Sequence, residues 1–142
     1  MFALEHKVRV FVFRIGATDV EYLLLRKKPR SEWPLGPVVG PIAVDEHLKD
    51  AVLREVRIET GLCKPLHVLD LSTPSKELFG DVGLVEWPFG YQAGAPGCPA
   101  PAIVPGPMVG DCAWLPFERA FQAVEVPADR DALVKLQLRL RG

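Results

Sequence analysis

Between Gly40 and Leu62 the chain reads GPIAVDEHLKDAVLREVRIETGL, and this stretch constrains the possible fold more than any other. Asp45 to Thr60 is predicted to be a helix. Asp45 offers an N-cap acceptor, acidic residues fill the first turn, and Gly61 supplies a left-handed stop. Pro65 blocks any continuation. At about 100° per residue, Leu48, Val52, Glu55 and Glu59 project into one narrow sector, with Ala51 and Val56 beside them. Two carboxylates therefore share a helix face with core residues, a placement that simple solvation does not explain. Residues at this spacing lie roughly 6 Å apart at Cβ, so Glu55 and Glu59 can converge on one cation. The alternative is that each pairs with an arginine. Arg54 and Arg57 are predicted to point to the other side of the helix, where Arg54 orients a loop or pairs with Glu46.

A chain of 142 residues is the size of one domain, so residues 1–142 are taken as one. Apolar residues make up 49% and charged residues 25%, the balance of a folded protein rather than a disordered one. The net charge of −1 gives no electrostatic case for a nucleic-acid polymer or an anionic membrane as partner. Phosphates, if bound, must be met by local charge. Cys63, Cys98 and Cys112 are widely spaced and form no C-x-x-C pair, so neither a zinc site nor a redox pair is indicated. No apolar run approaches the roughly 18 residues of a membrane span, and the start, MFALEHKVRV, lacks a signal-peptide layout. A cytoplasmic location is expected.

Lys7 to Phe13 alternates with Val8, Val10 and Val12 on one face, the pattern of a strand. Gly16 to Asp19 reads as a turn, and Glu21 to Leu25 as a second strand apolar on both faces, completing a hairpin. The basic run Arg26-Lys27-Lys28 with Arg30 follows; it is either a solvated strand end or a phosphate-facing cluster. Ser31 to Gly40 is Pro/Gly-rich and extended, and its Trp33 is either a packing residue or an aromatic platform for a base. Strands are predicted at His67 to Ser72 and Val82 to Trp87, with a polar segment between them. Pro88 to Pro107 is read as an irregular loop, either a passive insertion or a substrate-facing rim. A short strand at Asp111 to Leu115, a helix opened by Pro116 and a C-terminal helix from Pro127 complete the chain.

As a pattern, the central stretch is Gly40, five residues, Glu46, seven residues, Arg54-Glu55-Val56, then Arg57-Ile58-Glu59-Thr60-Gly61-Leu62. It resembles the signature box of the Nudix family, G-x5-E-x7-R-E-U-x-E-E-x-G-U with U aliphatic, found in hydrolases of nucleoside diphosphates linked to another group. It departs at Ile58, where the family has the first of two adjacent glutamates. The resemblance implies an α/β fold, an α/β/α sandwich around a mixed curved sheet. It also implies magnesium or manganese, held by Glu55, Glu59 and the carbonyl at Gly40. Glu55, Glu59 and Arg54 are then the catalytic candidates, and Arg26, Lys27 and Trp33 the substrate-binding ones. Magnesium is commonly held by only one or two carboxylates plus substrate phosphates, so the pair can suffice. Beyond the box, Glu77, Asp81, Glu86 and Asp111 are candidates to replace the charge missing at Ile58. The expected partner is a small nucleotide or diphosphate; a homodimer is compatible with the sequence. The alternative reading is a Nudix-fold binding or regulatory module with weak or absent catalysis.

Overall fold

The structure is a computed structural model that describes residues 3–16, 18–28, 34–71, 73–94 and 100–141. Strands β1 (Ala3–Ile15) and β2 (Val20–Lys27) form the expected antiparallel hairpin, with Val12 opposite Leu23. Its turn is closed by the Gly16 N–H donating to the Asp19 carbonyl at 2.9 Å. Strand β3 (Val38–Pro41) lies antiparallel along the first half of β1 and leads into helix α1 (Leu48–Thr60). Next come β4 (Val68–Asp70), β5 (Ser75–Phe79), β6 (Val82–Gln92) and β7 (Val109–Pro116), then α2 (Phe117–Ala123) and α3 (Pro127–Arg141). The sheet runs β4-β6-β1-β2-β7, with β3 also on β1 and β5 also on β6. Among the described residues only the β1–β6 pairing is parallel, so the sheet is mixed.

Alternation along β1 divides the molecule into layers. Val8, Val10 and Val12 pack with Val52 and Val56 of α1, while Phe11 and Phe13 pack with Ala120 of α2 and Leu133 and Leu136 of α3. A strand apolar on both faces needs cover on both, and the helices supply it. Fully burying a valine such as Val52 or Val56 contributes about 1.5–3 kcal/mol relative to exposure. This is the α/β/α layering around a mixed sheet that the sequence implied.

Several elements differ from expectation. The helix begins at Leu48 rather than Asp45; His47 is its extended N-cap residue, with no side-chain cap bond. Asp45 instead takes a left-handed φ of 61°. The reason is local: the Glu46 carboxylate accepts the Ala43 N–H at 2.9 Å, folding this segment into its own turn before the helix starts. At the other end Gly61 takes φ 78° as expected, its N–H donating to the Arg57 carbonyl. The polar segment before Val82 contains a strand, β5, joined to β6 through Gly80 at φ 59°.

The predicted irregular loop begins too early, because Pro88 to Gln92 continue β6 beside β1. Pro88 is tolerated because the outer partner changes there: β5 ends opposite Glu86 and β4 begins opposite Phe89. Its missing N–H therefore falls between two ladders. Further on, the Val104 N–H donates to the Thr60 carbonyl at 2.9 Å and the Gly106 N–H to the Glu59 carbonyl at 3.1 Å. This part of the Pro/Gly-rich segment satisfies the open carbonyls of the last turn of α1.

Candidate functional site

The two carboxylates lie where the helical spacing puts them. Glu55 and Glu59 are both buried on the face of α1 that meets the sheet, alongside Ala51, Val52 and Val56. Glu59 is 6% exposed, and its buried Oε2 has no hydrogen-bond partner among the described residues. Burial raises the Glu59 carboxyl above the usual glutamate range; the charge of Lys27 opposes the shift and that of Glu55 adds to it. Lys27 and Glu55 therefore both act electrostatically on Glu59.

Gly40 makes room for Glu55. A Cβ built on Gly40 would lie 2.5 Å from Glu55 Cγ and closer still to the carboxyl carbon and Oε2. Gly40 has no positive φ, so close approach rather than backbone conformation calls for glycine here. Arg54 holds the other side of the carboxylate, donating from Nη1 to Glu55 Oε1 at 2.6 Å. It also donates to both Glu46 oxygens at 2.9 Å and to the Pro41 carbonyl at 2.7 Å. The expected Glu46 pairing is present, but Arg54 does not simply point away: its side chain reaches back to Glu55. These bonds, with that from the Ala43 N–H, hold the Glu46 carboxyl down at about 2.

The other sequence candidates are placed as follows. Lys27 acts electrostatically on Glu59, whereas Arg26 pairs with Asp111 across the β2–β7 ladder at 2.8 Å. A register shift between Arg26 and Lys27 separates them. Trp33 and Arg30 lie outside the described residues, as does Cys98. Glu86 faces α3, not α1, and binds Arg9 at 2.8 Å. Glu77 and Asp81 are exposed on β5 and its turn. Among the described residues no three His, Cys, Asp or Glu side chains gather at one point. Ile58 is 45% exposed, and a Cβ built on Gly106 would collide with its carbonyl oxygen.

Two features had no signal in the sequence. One is an ion cluster beneath α3: Arg9 donates to both oxygens of Asp129, at 2.6 and 2.5 Å, and to Glu86. Its members are 77 and 120 residues apart, so no local pattern marks them. The other is a cavity of about 300 Å³ bounded by Arg9, Lys27, Val39, Val126, Asp129 and the 34–37 segment. Lys27 belongs both to this cavity and to the surroundings of Glu59.

The residues fit a divalent cation. A buried carboxylate oxygen lacks a partner, a second carboxylate lies one turn away, and a glycine leaves room for it. Among the described residues, no helix is long and apolar enough to cross a membrane.

Comparison with known proteins agrees with this architecture. Escherichia coli dihydroneopterin triphosphate pyrophosphohydrolase aligns with a TM-score of 0.77 at 18% identity, over 94% of this chain and 95% of that one. A Caenorhabditis elegans Ap4A hydrolase binary complex gives 0.75 at 15% identity, over 97% and 98%. The NUDIX domain of Shewanella oneidensis NrtR, complexed with ADP ribose, gives 0.72 at 18%, over 99% and 89%. At identities this low, the TM-scores show a shared fold alone. No curated protein matches the chain. The NUDIX domain family model matches residues 5–136, and with the box helix and mixed sheet in place the chain belongs to the Nudix family.

Proposed function

We propose that the protein is a divalent-metal-dependent hydrolase of a nucleoside-diphosphate-type pyrophosphate linkage, with magnesium or manganese as the ion. The observation that supports this best is the buried, unpartnered Oε2 of Glu59, one turn from Glu55. A buried carboxylate oxygen without a partner is costly, and a second carboxylate one turn away adds repulsion. A cation between them offsets both costs. Glu55, Glu59 and, by family resemblance, the Gly40 carbonyl would hold it. When bound, such an ion neutralises phosphate oxygens and activates a water for in-line attack.

The chain's own residues take the remaining roles. Lys27 neutralises a phosphate oxygen beside Glu59, and Arg54 fixes the Glu55 carboxylate while tying it to the 41–46 turn. The cavity under the 34–37 segment takes the group on the far side of the linkage, with Arg9 on its wall and Trp33 next to that segment in sequence. The same reading treats residues 1–142 as one Nudix domain acting in the cytoplasm. Glu59→Gln should abolish metal-dependent turnover of dinucleoside polyphosphates, nucleoside triphosphates and sugar nucleotides; an unchanged rate would overturn the assignment.

A second reading is favoured by Ile58 together with the position of Glu86 on the opposite face of the sheet. It is a binding module that keeps the fold and has lost turnover. Thermal-shift binding without hydrolysis across the same substrates, in either magnesium or manganese, supports it. Under this reading Ile58→Glu should make activity appear or rise sharply, whereas an enzyme built around the isoleucine gains little.

A further inference from the structure

The end of the Pro/Gly-rich segment, Ile103 to Gly110, reads IVPGPMVG. Its two prolines stand where no N–H is called for, because the donors are their neighbours. The Val104 N–H donates to the Thr60 carbonyl at 2.9 Å, the Gly106 N–H to the Glu59 carbonyl at 3.1 Å, and the Val109 N–H to the Gly106 carbonyl at 3.1 Å. The last of these closes a tight turn with Pro107 as its second residue, a position whose φ the proline ring presets. A Cβ on Gly106 would collide with the Ile58 carbonyl oxygen and lie 3.4 Å from Glu59 Cα, backbone atoms that cannot swing aside. Gly106 has no positive φ, so close approach alone calls for glycine. A stiff segment is thus pressed onto the turn of α1 that carries Glu59.

The same segment is tied to the end of β2. The Met108 carbonyl accepts the Lys28 N–H at 2.8 Å, and the buried Val109 pairs with Lys27. Because Arg26 pairs with Asp111, Gly110 is an extra residue in β7, a bulge opposite the step from Arg26 to Lys27. A Cβ on Gly110 would lie 3.3 Å from the Arg26 carbonyl oxygen, so the bulge is closely fitted to β2. Helix α1 itself rests mainly on β1 and β3 rather than on β2. Among the described residues, 104–110 therefore form the hydrogen-bonded link between the helix turn that bears Glu59 and the strand end that bears Lys27.

We infer that residues 104–110 are a positioning brace that fixes Lys27 relative to Glu59, with Gly106 as its point of contact. The segment carries no charged side chain, so it acts through the two side chains whose backbones it joins. The Lys27 charge acts on Glu59 in the metal-free fold, so the brace sets their alignment before any ligand binds. Pro105 and Pro107 restrict the unfolded chain, which lowers the entropy lost in holding the segment rigid. Rigidity matters because a displacement of about 1 Å in a reacting group can cost about 100-fold in rate. The effect on turnover rests on the hydrolase reading above; the effect on the Lys27–Glu59 pair does not.

A double-mutant cycle on the metal-free full chain, read as melting temperature at neutral pH and low ionic strength, tests the brace. Glu59→Gln should raise the melting temperature by about 1–4 °C more in a Lys27→Met background than in the wild type, because the opposing charge is gone. In a Gly106→Ala background that difference should vanish. Leu133→Val, a core change under α3 on the other face of the sheet, lowers stability without touching the brace and should keep the difference. Pro105→Ala with Pro107→Ala loosens the segment without a collision and should shrink the difference even if Gly106→Ala does not fold. No difference in the wild type, an undiminished one in both brace variants, or an equal loss in Leu133→Val overturns the inference. In metal-dependent turnover the brace variants should lose about 10–100-fold in kcat, with KM changing less than kcat; an unchanged kcat in both also overturns it. A wild-type chain without turnover refutes the hydrolase reading, and the cycle then still decides on the brace.

Discussion

Gly40→Ala is the sharpest test of how the candidate site is built. The added methyl would sit 2.5 Å from Glu55 Cγ and overlap the carboxyl group, and the position has no positive φ, so the added methyl itself is the perturbation. Glu55 is buried and held by Arg54 at 2.6 Å, so it cannot yield freely. Overpacking of this kind costs about 1–3 kcal/mol. For a chain of this size that corresponds to a fall in melting temperature of about 3–10 °C. The carboxylate must also leave its position, so manganese-induced thermal stabilisation and metal-dependent turnover should each drop about 10–100-fold in apparent metal affinity or rate. The double mutant supplies the control. In a Glu55→Ala background the alanine at 40 has room, and its stability cost should fall close to zero, a coupling of about 1–3 kcal/mol. Denaturant unfolding of the four proteins measures it. An equal cost in both backgrounds, or a single mutant with an undiminished manganese response, refutes the reasoning.

Three further outcomes follow from the structure. Because burial raises the Glu59 carboxyl above its ordinary 4.5, the folded state binds that proton more tightly than the unfolded chain does, and stability is lost as pH rises through this range. Glu59→Gln should therefore raise the melting temperature of the metal-free protein near neutral pH and leave it unchanged below the ordinary glutamate range; a variant no more stable at neutral pH contradicts the burial argument. Arg9→Met strands Asp129, 2% exposed, beside Glu86, and should cost about 3–5 kcal/mol in denaturant unfolding. Adding Asp129→Asn should recover part of that loss, and failure to recover any would show that charge is not its source. Arg54→Lys removes the forked contact with Glu46, whose carboxyl is held at about 2 against an ordinary 4.5. The contribution of a depressed carboxyl is present above 4.5 and lost as pH falls through about 2. NMR titration of the variant should find Glu46 raised toward its ordinary value, with the Ala43 N–H still holding it below, and an unmoved titration would exclude Arg54 as the main cause.

Much of this protein could be read along the chain because the relevant physics is local. Helical periodicity was enough to place Glu55 and Glu59 on the buried face of α1. Alternation was enough to make β1 and β2 a hairpin, and Gly61 with Pro65 to end the helix. The box glycine was identifiable as a motif position, but its reason was not, since the collision with Glu55 arises only when β3 lies under α1. The early start assigned to the helix failed for a related reason: Asp45 looks like a cap until Glu46 and Arg54 fold the preceding residues into a turn. Pro88 argued for a loop, and only the change of neighbour from β5 to β4 shows why a proline can stand there. Glu86 was a candidate for the site on charge alone, and its register beside β1 sends it to Arg9 and Asp129 instead. The pair of carboxylates was legible along the chain because spacing of a few residues specifies a helix face, and the box motif carried the family and, by resemblance, the layer order. Tertiary structure alone decided which distant charges meet, which strands lie side by side and where a buried oxygen lacks a partner, because those depend on contacts between segments up to 120 residues apart.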